Sequence, residues 1–184
     1  ETPSGPIYPT PVIGMVGELF QPDSCAGEPW RDGDAIALVG PFNPSLAGSE
    51  LEKLRGQLGA GLPAIEIAPV RAAIELIRDA VRAGTVRTVT DISDGGITTA
   101  LGELVINSGL GCEADLEPGM VRHECSAEDA VFGEAPGGFI VGGDLVRSPA
   151  RRPASTQLSS ADHTSRVPMR LSHVSRPMTT ANTP

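Results

Sequence analysis

The chain has 184 residues, 40% of them hydrophobic and only 3% aromatic, with three cysteines and a formal net charge of −9. That length and apolar content suffice for one or two domains with a real core and no need of disulfide staples. Cys25, Cys112 and Cys125 show no CxxC or Cys/His ligand spacing, and no signal segment or long apolar run is present, which argues against zinc-ribbon, secreted and membrane classes and for a reduced, cytoplasmic protein.

Charge divides the chain in two. Residues 1–146 hold eight basic against twenty-two acidic side chains, a net of −14, whereas residues 147–184 hold six basic against one acidic, a net of +5, and no Phe, Trp or Tyr. The second block is rich in Ser, Thr, Pro and Arg without a period of two or 3.6. It cannot bury enough surface to offset its ordering entropy, and disorder is expected. Phosphate contact through its arginines alone is a weak basis for nucleic-acid binding, because stacking aromatics and a basic folded surface are both missing; no nucleic-acid partner is expected. The abrupt change at Leu145–Arg147 fits a reading-frame shift or a truncated gene product.

In chain order, prolines bound an apolar run from Val12 to Val16, predicting a strand separated from its neighbours. A turn-rich connector follows, with a domain boundary near Asp32 and Trp30 as a packing anchor at that boundary. "AIALVG", Ala35 to Gly40, predicts a short buried strand. "PSLAGSELEKLRGQLGAG" places Leu51, Leu54 and Leu58 at helical spacing, with Ser49 and Glu52 in capping-box relation. "PVRAAIELIRDAVRAG" is the cleanest helix: Pro69 suits the first turn, Val70, Ala73, Ile74, Ile77 and Val81 make one stripe, and Gly84 stands where a left-handed stop is wanted.

"TVRTVTDI" predicts a strand, "GGITTALGELVINSG" a helix stopped by Gly109, and "GCEADLEP" another strand. "SAEDAVFG" predicts a short helix capped by Ser126 with Asp129 at its third position, and "GGFIVGG", Gly137 to Gly143, a final strand. The alternation predicts an α+β (α/β-like) fold, a mixed sheet with helices packed on one face.

Three stretches could carry chemistry. In "DISDGG", Asp94 or Ser93 can cap the following helix while Gly95 and Gly96 let a ligand approach the backbone. Helix starts attract phosphate, yet Asp91 and Asp94 would sooner hold Mg²⁺ or receive a sugar hydroxyl. A plain capped helix after a tight turn accounts for the same residues. In "AGSE", Ser49 is a ligand contact or an ordinary cap. In "FGEAPGGF", Glu134 is an exposed carboxylate on a glycine-rich bend or part of a simple turn. His123 has no second ligand or nucleophile spaced with it, and no Walker, GxGxxG, GxSxG or HExxH pattern occurs.

The order "PTPVIGMVGEL", "GDAIALVG", "AGSELEKLRG", "TVTDISDGGITTALGELVINSGLGCEADL", "AVFGEAPGGFIV" resembles the last part of the synthetase subunit of phosphoribosylformylglycinamidine synthase, in the superfamily of aminoimidazole ribonucleotide synthetase. The resemblance covers residues 1 to about 144. It implies that residues 1–31 end a truncated N-type domain and its connector, that 32–146 form a C-type synthetase domain, and that 147–184 are a basic disordered tail.

The resemblance further implies an ATP- and Mg²⁺-dependent amidine-forming ligase of purine biosynthesis, working with a glutaminase subunit and a small accessory subunit. The family's Gly-Asn motif and catalytic His fall upstream of Glu1, so no catalytic residue or metal ligand is assigned here and the chain is expected to be inactive alone. The family's Asp-hydrophobic-Ser-Asp-Gly-Gly stretch matches Asp91 to Gly96 in full, which favours a turn facing a ligand or a domain interface. Of its substrate-contacting Glu-Ser-Gln triplet only the Glu is kept, in Glu134-Ala135-Pro136. The alternatives are thiamine-monophosphate kinase, the hydrogenase maturation protein that handles carbamoyl phosphate, and a non-catalytic module that self-associates through an uncovered sheet.

Overall fold

The computed structural model describes residues 5, 11–18, 20, 25–57, 59, 61, 62, 64–143 and 167–169. Its elements are β1 (Ala35–Val39), α1 (Glu50–Leu54), α2 (Ile67–Arg82), β2 (Thr88–Asp91), α3 (Gly96–Ser108), α4 (Glu117–His123), α5 (Ala127–Phe132), β3 (Phe139–Gly143) and β4 (Val167–Met169). The strands form one sheet in the order β2-β3-β1-β4, and every pairing is antiparallel. β1 and β2 therefore run parallel with a gap between them. β3, which follows β2 after three further helices, fills that gap, pairing Val39↔Phe139 on one side and Asp91↔Phe139 on the other.

The α+β expectation holds, with two differences in detail. The described sheet is antiparallel throughout rather than mixed, because the strand that enters between the two parallel ones arrives from the opposite end. Helices cover both faces rather than one. Ile36, Leu38 and Ile140 pack with Ile97, Ala100 and Leu104 of α3, whereas Val39 and Val141 pack with Ala73 and Ile77 of α2. Alternate residues of a strand point to opposite faces, and "AIALV" and "FIVGG" are apolar on both, so each face needs a cover. Ile140 has no exposed surface at all.

α2 follows its predicted stripe: Ala73 and Ile77 are buried, and Gly84 at φ +69 ends the helix. Ile74, placed in the same stripe, is half exposed at its edge. Trp30 is buried and its indole N–H donates to the Ser108 hydroxyl, anchoring the connector to α3. α1 is shorter than predicted. Gly56, at φ +66, turns the chain after Leu54, and Leu58 lies outside the described residues.

Two predicted features are corrected. Residues 11–18 form no strand, and Val12, Ile13, Met15 and Val16 are almost wholly exposed; an apolar run with no neighbouring strand has nowhere to place its backbone hydrogen bonds. "GCEADLEP" keeps the alternating burial of a strand, Cys112, Ala114 and Leu116 turning toward the core, yet pairs with no strand among the described residues. Its end becomes α4, which the sequence reading missed: Asp115 accepts from the Glu117 N–H at 3.0 Å and Pro118 lies in the first turn. Within the tail expected to be disordered, Val167–Met169 pairs with β1, in the register Ala37↔Pro168. Without it the outer edge of β1 would be open, and Pro168 at an edge costs no ladder bond inside the sheet. The rest of that tail lies outside the described residues.

Candidate functional site

β2 delivers the chain to Asp91, and the sheet holds the next residue. Ile92 is buried and its N–H donates to the Gly138 carbonyl at 2.9 Å. Gly96 N–H then donates to the Ser93 carbonyl at 3.0 Å, closing a turn in which Gly95 and Gly96 have φ of +78 and +68. This left-handed pair is glycine territory. The turn raises Asp91, Ser93 and Asp94 to the surface as an exposed polar row, while Gly96 is buried against the backbone of Phe132 and Gly133.

Neither Asp94 nor Ser93 caps α3. The N-cap position is Gly95, which offers no side chain. Its N–H is instead satisfied from 39 residues away, donating to Oε1 of Glu134 at 2.8 Å. The same Oε1 accepts from the N–H of Glu50, the first residue of α1, at 2.9 Å. Glu134 is half buried, and its own N–H donates to the Ser45 carbonyl at 2.8 Å, an isolated bridge that fixes the bend after α5 against the loop before α1.

Ser49 resolves as a cap rather than an exposed contact. It is 1% exposed, and its hydroxyl accepts from the Glu52 N–H at 3.3 Å. The predicted box is only half formed, since the Glu52 carboxylate turns away to accept from the N–H groups of Gly48 and Gly59, each at 2.9 Å. Those two bonds hold the Glu52 carboxyl below its ordinary range, the Gly59 bond most of all. The complete box stands at α5, where Ser126 and Asp129 cap each other's backbone.

The three stretches singled out in the sequence thus meet at Glu134. Ser49 and Glu50, Gly95 and Gly96, and Glu134 itself form one joint, with Asp91, Ser93 and Asp94 as its outer rim. The rim presents acceptors and one hydroxyl, suited to a cation or to ligand hydroxyls. Among the described residues no group of three or more His, Cys, Asp and Glu side chains is placed to hold a metal ion by itself. Burial pushes the Cys112 thiol up, and burial together with Asp129 does the same to Cys125, so both stay protonated and pack rather than react.

A separate polar cleft of about 240 Å³ lies between the connector, β2 and α3, lined in part by Glu28, Thr88, Thr90, Glu103 and Asn107. The sequence reading did not single out Glu103 or Asn107. They fall in a helix beside ordinary surface residues, and only the approach of Gly27 to Pro29 makes a cleft of them. Among the described residues no helix is long and apolar enough to cross a membrane.

The profile of the family described as AIR synthase related protein, C-terminal domain, matches residues 31–143. Phosphoribosylformylglycinamidine synthase subunit PurL of Moorella thermoacetica is 38% identical over 118 residues, covering 63% of this chain and 16% of that protein. Its counterpart from a Synechococcus species is 37% identical over 158 residues, covering 83% of this chain and 20% of that protein. The chain therefore spans a fifth or less of the length of these relatives. Among solved structures, PurLQS from Thermotoga maritima superposes with a TM-score of 0.51 at 19% identity, covering 67% of this chain and 20% of that one. T. maritima PurL complexed with FGAR gives the same TM-score at 20% identity, covering 66% and 22%. At such identities the superpositions speak for the fold alone.

Proposed function

The chain belongs to the AIR synthase related protein, C-terminal domain family, and we propose that it supplies such a domain to a phosphoribosylformylglycinamidine synthase. In that role it takes part in the ATP- and glutamine-dependent conversion of formylglycinamide ribonucleotide to formylglycinamidine ribonucleotide, in the cytoplasm. The observation that carries this reading is the match over residues 31–143 together with 38% identity to a subunit of that name. Its support from geometry is the acidic glycine turn, whose rim of Asp91, Ser93 and Asp94 faces outward from a rigid strand exit.

Phosphoryl activation of an amide oxygen depends on holding ATP, Mg²⁺ and the amide in line and on neutralising charge as it develops. When bound, Mg²⁺ and ATP supply that activation. The rim has the chemistry to border such a site: two carboxylates suit a magnesium ion or its bound waters, and the Ser93 hydroxyl can donate to an oxygen of the nucleotide. Two carboxylates are too few to hold the metal alone, so this domain contributes a wall of the site and the catalytic groups come from other parts of the enzyme. The glutaminase and small accessory subunits are the corresponding partners.

A chimera tests this. Residues 31–143 replace the matching stretch in the M. thermoacetica relative, and the product is introduced into a purine auxotroph. Growth without purine is the expected result. A soluble, folded chimera that fails to restore growth would count against the assignment. The 184-residue chain on its own is expected not to restore growth.

A further inference from the structure

We propose that Glu134 is a positioning residue, whose Oε1 clamps the glycine turn before α3 to the start of α1, and not a residue that meets a ligand itself. Of the family's substrate-contacting Glu-Ser-Gln triplet the resemblance keeps only the Glu, in Glu134-Ala135-Pro136, a departure that fits a structural role at this place. The geometry commits its Oε1 inward, to the N–H of Gly95 at 2.8 Å and that of Glu50 at 2.9 Å. These donors lie 39 and 84 residues away in the chain. One atom therefore joins three segments that no local contact would hold together.

Electrostatics favours this use of the carboxylate. A helix start carries partial positive charge on its free N–H groups, and a nearby anion offsets it. α3 has no acidic residue in its first turn and a glycine at its cap, so no side chain of its own first turn or cap accepts from its free N–H groups. Hydrogen bonds from N–H groups to an ionised carboxylate are the stronger kind. α1 has its own Ser49 cap and Glu50 and Glu52 in its first turn, so it is the turn before α3 that depends most on Glu134. The bridge from Glu134 N–H to the Ser45 carbonyl keeps the side chain in reach of both donors. Oε2 makes no hydrogen bond among the described residues, so a conservative amide at this position can keep Oε1 in place.

Site-resolved amide exchange on the full-length chain, followed by NMR for the wild type, Glu134→Ala and Glu134→Gln, tests the clamp. Glu134→Ala is expected to speed exchange at both Gly95 and Glu50 by about ten- to a hundredfold, the loss of bonds to a charged acceptor. Ile140 and Val141, at the sheet centre, report global opening and should change far less. Glu134→Gln, which keeps an acceptor oxygen but loses the charge, should fall between the wild type and Glu134→Ala at both amides. A ligand-contacting Glu134 predicts no change at Gly95 and Glu50 in the free protein, and that result overturns the proposal. So does a Glu134→Gln variant as fast as Glu134→Ala, or a response at only one amide. Should Glu134→Ala fail to fold, Glu134→Asp decides: one methylene shorter, it cannot serve both donors, and unchanged exchange at both overturns the clamp.

Discussion

Gly96 has no room for a side chain. At φ +68, an added Cβ would lie 2.7 Å from the Gly133 carbonyl oxygen and 2.8 Å from the Phe132 carbonyl carbon, and both are backbone atoms that cannot swing aside. Left-handed strain alone costs roughly 1–3 kcal/mol for a non-glycine residue, and the overlap adds to it. Gly96→Ala should therefore destabilise by about 3 kcal/mol or more in urea unfolding. Gly102, six residues on in the same helix, has nothing within 4 Å of its would-be Cβ and an ordinary helical backbone. Gly102→Ala should stabilise by about 0.5–1 kcal/mol, because alanine loses less backbone entropy in a helix. Equal effects at the two positions would show that the turn is not packed as described. Both glycines are plain in the sequence, and only the packing of Phe132 and Gly133 tells them apart.

Among elements, α1 is five residues long, and its hold on the rest of the fold is electrostatic. None of its residues is buried. Glu52 ties it to Gly48 and Gly59, and Arg55 pairs with Glu128 of α5. The Glu52 carboxyl is lowered chiefly by its backbone bonds, the Glu128 carboxyl chiefly by the hydrogen bond from Arg55. A depressed carboxyl stabilises the fold above its unfolded value, about 4.3 for Glu, and that contribution is lost as pH falls from there through the folded value. Thermal stability should accordingly hold near neutral pH and drop below about pH 4.3. Glu52→Gln removes one of the titrating groups and should flatten that acid limb, as scanning calorimetry across pH 3 to 7 would show. An unchanged acid limb would mean that Glu52 is not bonded in solution.

For the whole molecule, the sheet has two outer strands with different protection. β2 lies at one edge beside the connector, with the Thr88 hydroxyl donating to the Glu28 carbonyl. The other edge of β1 is covered by Val167–Met169. An open edge of an apolar strand invites pairing with another chain. A chain ending at Gly143 keeps the whole stretch that matches the family and uncovers β1. Its mass by size-exclusion chromatography with light scattering should rise with concentration more steeply than that of the full chain. Identical profiles would show that β4 does not guard the edge, and would leave the exposed Val12 to Val16 run as the better seat for association.

The amino-acid order by itself determined the two longer helices, the three strands of the family-matching region, the turn at Asp91 to Gly96 and the three stretches that meet at Glu134. Each of these follows from local rules: apolar period, glycine where φ must be positive, and a hydroxyl where a helix starts. What the tertiary structure alone decided is partnership. β3 enters between β1 and β2, α2 covers the face opposite α3, "GCEADLEP" stays without a ladder, and the cap of α3 comes from a residue 39 positions away. The reason is the same in every case. A backbone donor or an apolar face shows in the sequence only as a need, whereas the group that meets it is chosen by which distant segments the chain can bring within bonding distance at once.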